Sequence, residues 1–80
     1  MFLEIITPEK KLFSGEVKLI KLPGAQGGFE ILTKHAPIIS TLVKGQIKVI
    51  DSADETSFID ISGGVIESQD DKIIVLAEAH

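Results

Sequence analysis

The sequence predicts an all-β domain, an antiparallel sandwich or barrel with no substantial helix. Three observations carry that class. The apolar residues come in runs of strand length, too short for helices. The segments between them are turn compositions, recurring at intervals of about 8 to 12 residues. The one stretch that could be helical, LAEAH at the end, is too short to hold a helix by itself.

In chain order, FLEII (2–6) opens the set and TPEK closes it. A short piece, KLF (11–13), and a Ser-Gly step lead to EVKLIKL (16–22). PGAQGG follows, with Pro23-Gly24 suited to a type II turn and Gly27-Gly28 to an αL bend, and then GFEIL (28–32). In KHAP, Pro37 holds Ala36 extended and removes one backbone donor, so the segment is a structured lead into IISTLV (38–43). KG divides that run from QIKVI (46–50), and DSADE reads as a solvated hairpin tip before TSFIDI (56–61). SGG is a turn or bulge, followed by GVIES (64–68), QDD and KIIVLA (72–77). Gly15, Pro23, Gly45, Gly63 and Gly64 are therefore expected at structural turns.

Alternation is clear in QIKVI, where Ile47 and Val49 share a face opposite Gln46 and Lys48. EVKLIKL and KIIVLA instead carry neighbouring apolar residues, whose side chains on a strand point to opposite faces. Either the outer face is a docking surface or a bulge turns both residues inward.

Eighty residues make one domain, 1–80, near the size at which a single core barely offsets chain entropy. The 44% hydrophobic content suits that demand. With no cysteine, a disulfide scaffold and a thiolate metal site are excluded; the composition is compatible with a reducing compartment. A net charge of −4 argues against binding nucleic acid. The N-terminus MFLEIITPEKK fits neither a signal nor a transit peptide, and no run approaches the roughly 18 apolar residues of a membrane helix.

Catalytic and metal chemistry find little footing. Ser40, His35 and Asp60 could be set out as a hydrolase triad, but no nucleophile motif surrounds Ser40. Asp51, Asp54 and Glu55 lack the alternating ligands and central glycine of a calcium loop. PGAQGG does not follow the dinucleotide fingerprint. His35 reads as a turn residue or an interface residue. No cofactor and no metal are expected.

In order and spacing, TPEKKLFSGEVKLIKLPGAQGGFEIL, HAPIIS, LVKGQIKV, ISGGVIES and KIIVLAE resemble the N-terminal β-sandwich domain of the epsilon subunit of F-type ATP synthases, over essentially all 80 residues. The resemblance implies a flattened sandwich of two roughly five-stranded sheets. It also implies a rotor subunit of the central stalk, itself non-catalytic, that docks the gamma subunit to the c ring and helps couple proton flow to ATP synthesis. Such a subunit is peripheral, held at the cytoplasmic face of the bacterial inner membrane only through the complex.

Carried over by position, His35, Ala36, Pro37, Ile38, Ile39 and Thr41 match the segment that faces gamma. Gly24, Ala25, Gln26, Gly27 and Gly28, with Glu30 and Lys34, match the side that faces the polar loops of the c ring. Gly28 stands where relatives often carry an acid, and Thr33-Lys34 stands where they usually have proline-glycine. Most members also carry a C-terminal hairpin of two helices, which these 80 residues lack, so inhibition by such a hairpin is not expected of them. The alternative reading is a lipoyl or biotinyl carrier domain displaying Lys44 or Lys72, although neither lysine has the flanking residues that those modifications read.

Overall fold

Residues 1–32 and 36–79 are described by the computed structural model, and they form six strands: β1 (Phe2–Ile6), β2 (Lys11–Leu22), β3 (Phe29–Leu32), β4 (Ile38–Asp51), β5 (Thr56–Gln69) and β6 (Lys72–Ala79). The shorter runs expected from the sequence merge in pairs. KLF and EVKLIKL are one strand, as are IISTLV with QIKVI and TSFIDI with GVIES. The hydrogen-bonded order is β1-β6-β5-β4-β2-β3, and an added β1–β2 ladder closes the ring into a barrel.

The three long strands serve two layers each. In the first layer the neighbours run β2 (11–16), β1, β6, β5 (61–69) and β4 (38–43). In the second they run β3, β2 (17–22), β4 (45–51) and β5 (56–61). The narrowest extent of the molecule, 18 Å, matches two sheets about 10 Å apart plus their outer side chains. Antiparallel pairing holds in every ladder except β1–β6, which is parallel. No hairpin joins those two strands, so nothing forces them to oppose.

Each long strand changes its inward parity once, where it passes between layers. On β2 the buried residues switch from Val17 to Ile20 and Leu22, across a register shift between Val17 and Leu19. On β4 they switch from Leu42 to Ile47 and Val49, with Val43 and Lys44 both outward at the corner. On β5 they switch from Ile61 and Gly63 to Ile66 and Ser68, beside a shift between Ile61 and Gly63. A bulge or bend at such a corner keeps the apolar face inside as the strand changes sheet. In EVKLIKL the bulge brings Val17 and Ile20 both inward, yet the adjacent pair still divides: Ile20 is buried, while Leu19 is half-buried on the outer side beside the exposed Leu32. In KIIVLA, Ile73, Val75 and Ala77 are buried, Ile74 is half-buried and Leu76 is exposed, so the strand alternates regularly and leaves apolar side chains outside.

Four of the five expected turn residues lie within strands, and at SGG the bulge reading holds, with a register shift between Ile61 and Gly63. Gly15 is inside β2, Gly45 inside β4, and Gly63 and Gly64 inside β5. Two of these glycines have a clear physical reason. A Cβ on Gly45 would lie 2.9 Å from the Pro23 side chain, which crosses β4 there. Gly64 has φ +153°, and a Cβ on it would overlap the Leu76 carbonyl oxygen on β6. Pro23 does sit in a turn, a three-residue one in which the Gly24 N–H donates to the Leu22 carbonyl at 3.1 Å. A second turn follows at once, with the Gly27 N–H donating to the Gly24 carbonyl at 3.0 Å and Gly27 at φ +117°. The bend thus centres on Ala25-Gln26, two residues beyond the expected Pro23-Gly24 turn.

The remaining connections follow their composition. Asp70 and Asp71 both have positive φ, as a two-residue type I′ hairpin requires, between Gln69 and Lys72. At the β4–β5 tip the Asp51 carboxylate accepts from the Ala53 and Glu55 N–H groups, each at 2.9 Å. The core joins both layers, with Leu3, Ile5, Ile66, Ile73 and Val75 from the first meeting Ile20, Leu22, Ile31, Ile47 and Val49 from the second.

Candidate docking surfaces

The outer face of the first layer is apolar where a solvated sheet face would be polar. Register sets the rows. Ile39, Glu67, Ile74 and Glu4 lie side by side across β4, β5, β6 and β1, and the next row carries Thr41, Val65, Leu76 and Ile6. Ile39 is 81% exposed and Leu76 54%. A shallow groove of about 280 Å³ runs between them, lined by Ile39, Val65, Glu67, Ile74 and Leu76. Large apolar side chains contiguous on one face mark an interaction surface more often than isolated ones do.

This face absorbs part of the expected gamma-facing set. Ile39 and Thr41 belong to it, while Ile38 is half-buried and packs against the core, as its alternate position on β4 requires. Ala36 and Pro37 are exposed just before β4. His35 lies outside the described residues. Val65, Ile74, Leu76 and Glu67 were not among the expected site residues. The adjacent apolar residues of KIIVLA were their one signal, and the β5 contribution needed the register.

The loop from Gly24 to Gly28 lies beside the same face. The Ala25 N–H donates to the Thr41 carbonyl and the Val43 N–H to the Pro23 carbonyl, each at 2.9 Å, so the loop is laced to the β4 edge of the first layer. Ala25, Gln26, Gly27 and Gly28 are exposed, whereas Gly24 is buried and bridges to Leu42. Glu30 is on β3, 3.9 Å from the Lys21 ammonium. Lys34 lies outside the described residues.

The outer face of the second layer has another character. Glu30, Lys21, Lys48 and Phe58 form one row across β3, β2, β4 and β5. That row sets one glutamate and two lysines beside the exposed ring of Phe58, and the next row places the exposed Leu32 beside Leu19 and Ile50, both half-buried.

The other chemistry considered from the sequence is not assembled. Ser40 and Asp60 sit in different layers: Ser40 Oγ donates to the Thr41 carbonyl, and Asp60 accepts from Gln46 at 3.1 Å. Asp51 caps its own tip and Asp54 pairs with Lys18 at 2.7 Å. Lys44 lies within β4, away from any hairpin tip, and Lys72 opens β6 behind the two aspartates.

A family description, the beta-sandwich domain of the ATP synthase Delta/Epsilon chain, matches residues 1–80. The chain belongs to this family. Two relatives, both ATP synthase epsilon chains, show how near the Delta/Epsilon kinship is. The protein of Caulobacter vibrioides is 42% identical over 74 residues, spanning 92% of this chain and 85% of that one. That of Campylobacter hominis is 42% identical over 78 residues, spanning 96% of this chain and 60% of that one.

Among solved structures, the domain superposes on a chain of the Euglena gracilis mitochondrial ATP synthase with a TM-score of 0.86 at 19% identity, covering 94% of this chain and 48% of the other. It also superposes on a chain of the central stalk and c ring of the Tetrahymena thermophila mitochondrial ATP synthase, with a TM-score of 0.79 at 18% identity, covering 98% and 63%. At such identities the likeness is one of fold. The chain spans about half of the Euglena chain and under two thirds of the Campylobacter and Tetrahymena ones.

Proposed function

We propose that this domain serves as a rotor element of the central stalk of a proton-translocating F-type ATP synthase, joining the gamma subunit to the c ring so that proton flow and ATP synthesis stay coupled. One observation supports it above the others. The first layer carries a continuous apolar outer face, centred on Ile39, Val65, Ile74 and Leu76, on a domain of net charge −4. A face of that kind needs a permanent partner, and the family relationship supplies gamma as the candidate.

The division of labour follows from the layout. The apolar face takes gamma, with Ala36 and Pro37 at its margin and His35 next to them in sequence. The loop from Gly24 to Gly28 is held on that margin by the β4 edge and is offered to the polar loops of the c ring. Its backbone amides and Gln26 make polar contacts there, with Glu30 and Lys34 nearby in sequence, and Gly28 brings no carboxylate. The role is mechanical and non-catalytic, and it places the domain at the cytoplasmic face of the bacterial membrane, held through its partners.

Titration calorimetry against purified gamma subunit from the same source tests the proposal. Tight binding by the wild type and loss of at least about tenfold in affinity for Ile39→Asp, equivalent to about 1.4 kcal/mol, is the expected result. Equal affinity for the two proteins would place the contact elsewhere.

A further inference from the structure

We infer that Glu67 is the specificity residue of the apolar face, and that the partner seated there presents a lysine or arginine to it from within an otherwise apolar patch. The inference rests on the docking reading above. Glu67 occupies the middle strand of the face, directly between Ile39 on β4 and Ile74 on β6, with Val65 two residues before it on the same side. It lines the groove with Ile39, Val65, Ile74 and Leu76.

Among the described residues, no ion pair or hydrogen bond engages its carboxylate. Among the described residues, no other charged side chain near the face pairs with it. Glu4 is paired with Lys11 at 3.0 Å. Lys72 lies diagonally across the β5–β6 ladder, opposite Gln69, and lines a shallow depression together with Glu67, but forms no ion pair with it. Glu78 stands one row beyond Leu76, opposite Gly63, at the far margin.

A carboxylate at that place is harmless while the face is wet and costly once it is covered. An apolar partner alone would strip its water and return nothing, so purely hydrophobic surfaces are rejected. A partner with one cation among apolar side chains recovers a charge-assisted bond in a dry setting, where it is strong. The groove therefore selects by charge what the isoleucines and leucine only attract. Arginine fits best, because its planar fork can engage both carboxylate oxygens and sheds water more readily than an ammonium.

The test compares wild type, Glu67→Gln, Glu67→Lys and Leu76→Asp for binding to purified gamma, with Glu55→Gln at the distant hairpin tip as the charge control. Thermal melts of each variant are run alongside. The inference expects Glu67→Gln to melt like wild type yet bind roughly tenfold or more weakly, mainly through faster dissociation and with a shallower salt dependence. Glu67→Lys should abolish binding, and Glu55→Gln should bind normally. If Glu67→Gln binds as tightly as wild type while Leu76→Asp fails, the face docks gamma but the charge selection is wrong. If Leu76→Asp also binds normally, the docking reading fails and the inference goes with it.

Discussion

Single residues hold the geometry at two places where substitution reads out cleanly. Gly64 is the tighter. Its φ of +153° and the nearness of the β6 backbone leave no room for a side chain, so Gly64→Ala has to displace the ladder or flip the peptide. We expect it to lower stability by about 2–4 kcal/mol, read as a fall in the urea midpoint at unchanged slope. Asp51 is the milder case. Its carboxylate accepts two backbone N–H groups at an exposed tip, and Asp51→Ala should cost about 1 kcal/mol, a drop of about 4–8 °C in melting temperature for a domain of this size.

At the scale of elements, the decisive fact is that three strands bend between layers, and this limits what their residues reveal in isolation. The apolar runs themselves were legible, because runs of strand length between turn compositions have few other solutions. Their joining was not. SG, KG and SGG look like turns in sequence, yet here glycine permits a close approach at Gly45 and a strained extended backbone at Gly64 while the strand continues. The parity switches at Lys18, Lys44 and Gly64–Val65 follow from changing sheets, a long-range condition that no local pattern records. Adjacent isoleucines on β4 show the consequence. Ile38 turns toward the core and Ile39 outward, so Ile38→Asp should destabilise the domain by about 2 kcal/mol or more, and Ile39→Asp should stay within about 0.5 kcal/mol of wild type in a denaturant melt. Matching losses in the two variants would contradict the assigned faces.

For the whole molecule, the contrast between the two outer faces governs function. One is an apolar surface spread over β4, β5, β6 and β1 with a single carboxylate at its middle that no ion pair engages among the described residues; the other mixes Glu30, Lys21 and Lys48 with Phe58 and the edge Leu32. Burying a leucine or isoleucine side chain contributes about 1.5–3 kcal/mol, so a few of them on one face suffice for stable docking once a partner orders them. Which residues form that face was only partly readable beforehand. Ile39 and Thr41 came with the family resemblance, whereas Val65, Ile74, Leu76 and Glu67 became neighbours only through the β4–β5–β6 register. The chain contains no cysteine, so Leu76→Cys and Phe58→Cys variants each carry one thiol, on opposite faces. The measurement that bears most directly on the account is the rate of maleimide labelling of these two thiols with and without gamma subunit. Gamma should slow labelling at position 76 by about tenfold or more and leave position 58 unchanged; protection at 58 with free reaction at 76 would put the partner on the other face and contradict the account.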